Sequence, residues 1–301
     1  MFDNDHPDQV WTNACEIIRK INPDYDFAPL SAVFRDVVGL FYGEYPGYLK
    51  VDTLYHDLRH TMDVFMCLLR LMHGTHLSGN RLNDDEVTIG AIAALMHDVG
   101  YAKQVGDEAG TGAKYTTTHV SRGIAFMRNY AKEKNWPAAW TASLECAIRC
   151  TDPAVTFTKI NFPNERSRLL GKLVGTADLV GQMADRSYLE KLLFLYFEFK
   201  EANLGDFKSM QDLLQRTREF YILTGDKLER QFDNTYEFLQ NHFKDWFGVE
   251  CNYYMESINK NIAYLSQVLE EENEGELFHK LKRRGIAEQV KTGEIWEWMA
   301  G

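Results

Sequence analysis

Five side chains stand out by type and setting. His56 and His60 lie four residues apart in residues 55–73, where Tyr55, Leu58, Met62, Phe65, Leu69 and Met72 recur at intervals of three and four. That spacing predicts a helix with both imidazoles on one face. His97 and Asp98 are adjacent, follow the apolar run AIAALM and precede a Gly-containing turn. Asp178 sits in LLGKLVGTADLVGQM, an otherwise apolar helical stretch, where a lone carboxylate is costly unless it is paired or bound to metal. Two kinds of donor, imidazole nitrogen and carboxylate oxygen, drawn from three helices suit Zn2+, Fe2+ or Mn2+, with Mg2+ at an oxygen-richer neighbour.

Each feature alone has a plainer explanation. A His pair at i, i+4 is commonly solvated or capping, and an isolated His-Asp dipeptide carries less information still. A lone Asp in an apolar helix is commonly satisfied by a hydroxyl or an arginine. The combination says more, because each member is set in apolar helix.

The elements that must position them are helical. Helices are expected at 55–73, 85–97, 117–134, 139–150, 165–183, 186–202, 207–222, 226–246 and 251–273, the last ending in Glu270, Glu271 and Glu272. No segment shows sustained two-residue alternation of β-branched residues, and no proline follows Pro163, so the fold class is all-α. The run from Gly100 to Thr118, with Gly106, Gly110 and Gly112, reads as a loop placed to form a site wall or lid.

Composition narrows the function. With 33 Lys+Arg against 44 Asp+Glu the formal net charge is −11, which disfavours a nucleic-acid polymer as partner. No apolar run is long enough for a membrane span, and the start lacks a basic and apolar leader. The five cysteines, Cys15, Cys67, Cys146, Cys150 and Cys251, contain no C-x-x-C pair. A cytoplasmic protein without disulfides or a thiolate zinc site is therefore expected. Cys146 and Cys150, one helical turn apart, read as small buried residues.

The order and contexts of these residues resemble the HD superfamily of metal-dependent phosphohydrolases, and more closely the catalytic domain of class I cyclic nucleotide phosphodiesterases. That family's Y-H-N-x-x-H-A-x-D-V is similar to Tyr55-His56-Asp57-Leu58-Arg59-His60-Thr61-Met62-Asp63-Val64, with departures at Asp57 and Thr61. Its apolar helix ending in H-D is matched by Ala94-Leu95-Met96-His97-Asp98-Val99. Thr151-Asp152 resembles its A-T-D segment, and Ala177-Asp178-Leu179 its A-D-L segment. The similarity covers roughly residues 50–200, a compact multi-helix metal core within a single 1–301 domain, with 205–301 completing the pocket. It implies metal ligands at His60, His97, Asp98 and Asp178, with Asp98 bridging two divalent ions, zinc with magnesium or manganese, that share a hydroxide. It implies His56 as the acid that protonates the leaving group.

The departures bear on the second metal and on the substrate. The family's E-N-H-H segment aligns with Thr116-Thr117-Thr118-His119, losing the Glu that orients the acid histidine. Asp57 or another carboxylate would have to compensate. His119 is open between a structural histidine and a ligand of the second ion, and Asp57, Thr151 and Asp152 are further candidates for the second metal or for hydrogen bonds around the first. The purine-clamping Gln in Q-x-G-F context is not recognisable. Arg59, Arg166, Arg168 and Arg186 are candidates for phosphate or base, each with a plainer structural role; for Arg186 that role is a pair with Asp185 or Glu190. The late aromatics, Phe220 to Tyr254, read mainly as core, with one or two free to stack on a base.

The expected function is hydrolysis of a cyclic nucleotide or related nucleotide phosphoester. The alternatives are an HD-fold di-iron oxygenase, for which iron and His119 would be decisive, another HD nucleotide phosphohydrolase (nucleotidase or triphosphohydrolase), and a non-catalytic scaffold. The sequence is compatible with a homodimer. The C-terminal segment, with Lys280, Lys282, Arg283, Arg284, Trp296 and Trp298, either packs on the core or forms an oligomer contact.

Overall fold

A computed structural model describes residues 4–270, 277 and 279–292. Among these the chain is all-α, and the only β pairing is an isolated bridge between Tyr48 and Gln104. The helices are α1 (Pro7–Ile21), α2 (Ala28–Tyr42), α3 (Leu58–Leu77), α4 (Asp84–Met96), α5 (His119–Glu133), α6 (Ala138–Arg149), α7 (Glu165–Met183), α8 (Tyr188–Glu201), α9 (Met210–Arg230), α10 (Phe238–Phe247), α11 (Tyr253–Val268) and α12 (Ile286–Thr292). Glu271, Glu272, Trp296 and Trp298 lie outside the described residues.

Helix α3 is the axis of the molecule. Its twenty residues run roughly 30 Å, and nearly every side chain from His60 to Thr75 is buried. Helices α1, α4, α7 and α10 pack around it. Each large apolar side chain so enclosed stabilises the fold by about 1.5–3 kcal/mol. Helix α4 begins at a capping box, in which Asn83 and Glu86 each accept the other's backbone N–H. Its acidic first turn, Asp84 to Glu86, faces the positive end of the helix dipole. Helix α7 spans the expected 165–183, started by Asn164, whose side chain accepts from Ser167 N.

Three expectations are corrected. His56 is not inside a helix: the side chain of Asp57 accepts from His60 N at 2.8 Å, and this cap starts α3 at Leu58. Residues 207–222 and 226–246 are not two helices broken near Gly225. Helix α9 runs through Gly225, where a single glycine costs only about 1 kcal/mol. The chain turns instead at Asp233 and Asn234, both at positive φ (51° and 54°), a conformation these two residue types tolerate. Helices α1 and α2 also precede the first expected helix. Their prolines occupy the opening positions, where no backbone donor is lost.

Other expectations on packing are met in part, and the expected pairing of Arg186 with Asp185 or Glu190 is not among them. Cys146 and Cys150 are buried free thiols in the core. Phe232 and Phe243 are core residues, whereas Phe220 is partly exposed. The described part of the basic C-terminal cluster lies against the helices: Arg283 sits over the Tyr264 ring at 5.3 Å, and Arg284 pairs with Asp5 at 2.7 Å. Asp185 is held by Arg59 (3.5 Å) and Lys191 (3.8 Å) rather than by Arg186. Asn261 of α11 donates to the carbonyls of Met183 and Asp185, fixing the turn between α7 and α8.

Where α3 meets α10, His73 Nδ1 and His242 Nδ1 are 2.9 Å apart and buried. One ring donates and the other accepts, so the accepting ring must be neutral and the contact is lost once both rings are charged. Burial holds His73 down at about 4, against the opposing charge of Asp245 and with the help of Lys20 and His76. Burial and Arg70 hold His242 lower still. The unfolded chain protonates near the ordinary value of 6.5, while the folded pair does not until about 4. The unfolded state therefore binds more protons in that window, and stability falls as pH drops through it. Urea unfolding is expected to lose about 2 kcal/mol between pH 7 and pH 5 from His73 alone. The double variant His73→Leu/His242→Phe should lose correspondingly less, and an equal loss in both proteins would refute the assignment.

Candidate metal centre

His60 on α3, His97 and Asp98 just beyond α4, and Asp178 on α7 converge at the centre of the bundle. The ligand atoms of His60, His97 and Asp178 all lie within 4.8 Å of one another, and all three residues are buried. His60 Nε2 is 3.2 Å from His97 Nε2, 3.3 Å from Asp98 Oδ2 and 3.5 Å from Asp178 Oδ1. His97 Nε2 is 3.1 Å from Asp98 Oδ2 and 3.7 Å from Asp178 Oδ1. Atoms bound about 2.1 Å from one ion sit about 3.0 Å apart at right angles and about 3.4 Å apart at tetrahedral angles. The three spacings among His60, His97 and Asp98 fall in that range, and the two to Asp178 lie just beyond it.

The polarity of the rings agrees. His97 Nδ1 lies 2.8 Å from the Ala94 carbonyl oxygen, an acceptor only, so Nδ1 carries a hydrogen and Nε2 is the atom turned to the cluster. Asp98 Oδ2 is buried without a hydrogen bond. Burial alone would keep His60 neutral, but Asp178 and Asp98 outweigh it and push its pKa up to about 10. Burial likewise opposes ionisation of Asp98, yet His97 and His60 hold its carboxyl well below the usual range. The cluster calls for positive charge, and a divalent cation fits the donors present.

Asp98 faces two ways. Its Oδ2 looks toward His60 and His97, while Oδ1 is 3.7 Å from His119 Nε2. His119 Nδ1 is fixed on the Thr116 carbonyl at 2.6 Å, so its Nε2 also points inward. Gly100 permits this approach: a Cβ there would lie 1.8 Å from the His119 carbonyl oxygen. Arg122 holds the same turn through the carbonyls of Gly100 and Ala102, both at 2.8 Å.

At the edge of the cluster His56 lies with its Nδ1 2.6 Å from Glu198 Oε2. Glu198 is only 1% exposed, and its Oε1 accepts the Tyr55 N–H at 2.7 Å. The Tyr101 ring is stacked between the His56 and His119 rings, 4.5 Å from each. Glu198 is the carboxylate that meets the His56 ring, and its place in an apolar helix is the signal that could have singled it out. Asp57, the expected candidate for that contact, caps α3 instead.

Thr151 and Asp152 line the same cavity but do not join the cluster. The Thr151 hydroxyl donates to Ile148 O at 2.8 Å, and Asp152 Oδ1 accepts from Ala154 N at 2.8 Å. The cavity has a volume of about 460 Å³ and runs from His56, His60, Asp98, His119 and Asp178 outward between α8 and α9. The expected loop 100–118 contributes Tyr101, Thr116 and Thr117 to its wall. None of the four candidate arginines lines it. Arg166 pairs with Glu86, Arg168 sits over the Phe157 ring, and Arg186 is exposed. Arg59 faces a separate cavity of about 470 Å³ with Asp63, Arg70 and Asp185. The cations that do line the cluster's cavity are Arg216 and Lys227.

No helix among the described residues is long and apolar enough to cross a membrane. No curated protein matches the chain. Residues 47–225, which contain the whole cluster and most of the cavity wall, match the Npun_R2479-like family model. With more than half of its 301 residues covered, the chain belongs to the Npun_R2479-like family.

Proposed function

We propose that this chain is a divalent-metal-dependent phosphoester hydrolase of the HD type, acting on a small phosphoester. The observation that carries the reading is the His56–Glu198 pair at the rim of a buried His/Asp cluster, an acid beside a cation site. His60, His97, Asp98 and Asp178 would hold the first ion, and Asp98 with His119 would hold a second. Two such ions, when bound, lower the pKa of water toward neutrality and offset charge on the phosphoryl group.

The chain's own residues supply the proton and its control. Glu198 fixes His56 by accepting from Nδ1, which leaves Nε2 to exchange a proton in the cavity. As the P–O bond breaks, Nε2–H passes its proton to the departing oxygen, and the carboxylate of Glu198 stabilises the charged ring before transfer. Tyr101, stacked on His56, restricts the ring to that plane. The local cations also answer the −11 net charge, which otherwise repels an anionic substrate.

The test pairs elemental analysis of protein purified without added metal with a panel of cyclic mononucleotides, cyclic dinucleotides, nucleoside mono- and triphosphates and alkyl phosphodiesters. Transition metal near stoichiometry and turnover of one class are expected. Bound metal with no turnover anywhere on the panel would overturn the hydrolase reading. His119 Nε2 facing Asp98 favours one second reading, a di-iron oxygenase. Two irons per chain and oxygen consumption would select it.

A further inference from the structure

The cavity beyond the cluster is chemically divided, and its outer part is apolar. Leu192, Leu195 and Phe199 of α8, Phe207 of the connection, and Leu213 and Phe220 of α9 form its wall. Three polar side chains among them, Gln182, Arg216 and Thr217, are already engaged. Gln182 Oε1 accepts the Tyr55 hydroxyl at 2.7 Å, and its Nε2 donates to Asp178 O at 3.1 Å. Arg216 pairs with Asp206 at 2.7 Å and with Asp212 at 3.1 Å. The Thr217 hydroxyl donates to Leu213 O at 2.9 Å. A ligand that used these three groups to bind the edge of a base would have to break bonds the fold already makes.

One polar group differs. Lys227 lines the cavity, and no hydrogen bond or ion pair holds its ammonium among the described residues. The ammonium sits over the Phe232 ring, 5.4 Å from the centroid. Burial lowers its pKa, while Asp178 and Asp152 favour its charged form. A partly buried cation without a carboxylate partner, in the cavity of a candidate metal centre, is placed to take an anionic oxygen. The apolar wall also reaches solvent: Leu204 and Phe220 line the cavity and are 37% and 41% exposed. Leu223, one helical turn after Phe220 on the same face of α9, is 68% exposed.

We infer that the ligand of this cavity is a phosphoester of an apolar alcohol, with its phosphoryl oxygens at Lys227 and the cluster and its alkyl or aryl group along the wall of α8 and α9. The inference rests on the hydrolase reading for the word ester, but the binding half stands separately. Calorimetry on the metal-loaded full chain with methyl-, butyl- and octylphosphonate tests it without turnover. Affinity is expected to rise about three- to fourfold per added methylene until the cavity is filled. Phe220→Ser should flatten that dependence, and Lys227→Met should weaken every member by roughly tenfold, with folding of both variants verified by circular dichroism. Adenosine monophosphate should bind no better than methylphosphonate. Equal affinity for methyl- and octylphosphonate, adenosine monophosphate binding tighter than octylphosphonate, or an unchanged Lys227→Met would each overturn the inference. Chain-length-dependent binding with no turnover of any phosphoester would remove the hydrolase reading and leave the apolar-group assignment in place; turnover without chain-length dependence would do the reverse.

Discussion

Asp178→Asn is expected to purify without transition metal, whereas the unaltered protein carries it. Asn keeps the shape of the side chain but withdraws the charge that faces His60 at 3.5 Å and His97 at 3.7 Å. Loss of a group that merely supports a ligand lowers metal affinity roughly 10–100-fold, and loss of a ligand lowers it further. The second readout is thermal. An ion at a hundredfold excess over its Kd stabilises the folded state by about 2.7 kcal/mol, so adding Zn2+ or Mn2+ to EDTA-treated protein should raise the Tm of the unaltered chain by several degrees and leave that of Asp178→Asn unmoved. His60→Ala should behave alike, although removing a ring from a packed core also costs folding stability. If EDTA and metal both leave the unaltered protein's Tm and metal content unchanged, the cluster is a structural hydrogen-bonded group and the metal reading fails.

The residues of the cluster were legible because each breaks an apolar pattern in a way that burial alone does not allow. Asp178 is the clearest case, a charge in the middle of a helix whose neighbours Ala177 and Val180 are fully enclosed. The extent of α7 was legible for the same reason of periodicity, and the helix ends where its pattern ends. What stayed hidden has physical causes. His56 shares the spacing of a helix, yet the hydrogen bond that Asp57 Oδ1 accepts from the His60 backbone N–H places the boundary between them. Glu198 gave the same signal as Asp178, a carboxylate in apolar helix, but Glu190 and Lys191 are buried in α8 as well, and three charges together resemble a polar face. Lys227 lies on a helix rich in charge, where one more cation carries no pattern at all. Its importance comes from what the fold leaves unpaired, and pairing is a property of packing.

Glu198→Gln is expected to lower kcat by about 10²- to 10⁴-fold on esters with a poor leaving group while metal content stays as in the unaltered protein. Gln fits the same space and retains an oxygen for the Tyr55 N–H now held at 2.7 Å. It cannot stabilise a charged imidazole, and its amide presents a donor where His56 Nδ1 now meets an acceptor at 2.6 Å. The ring is then driven into the wrong tautomer or out of position, and delivery of the proton from Nε2 fails. A p-nitrophenyl ester departs as a stable anion and needs no such proton, so its turnover should fall at least tenfold less than that of the corresponding alkyl ester. KM should change little, since Glu198 is enclosed and touches His56 and the Tyr55 backbone rather than the cavity's apolar wall. His56→Ala/Glu198→Gln should be no slower than His56→Ala alone, because the two act as one unit. Equal losses on both leaving groups, or additive losses in the double variant, would mean that Glu198 serves the fold rather than the acid, and His56 would lose its assigned part in bond cleavage.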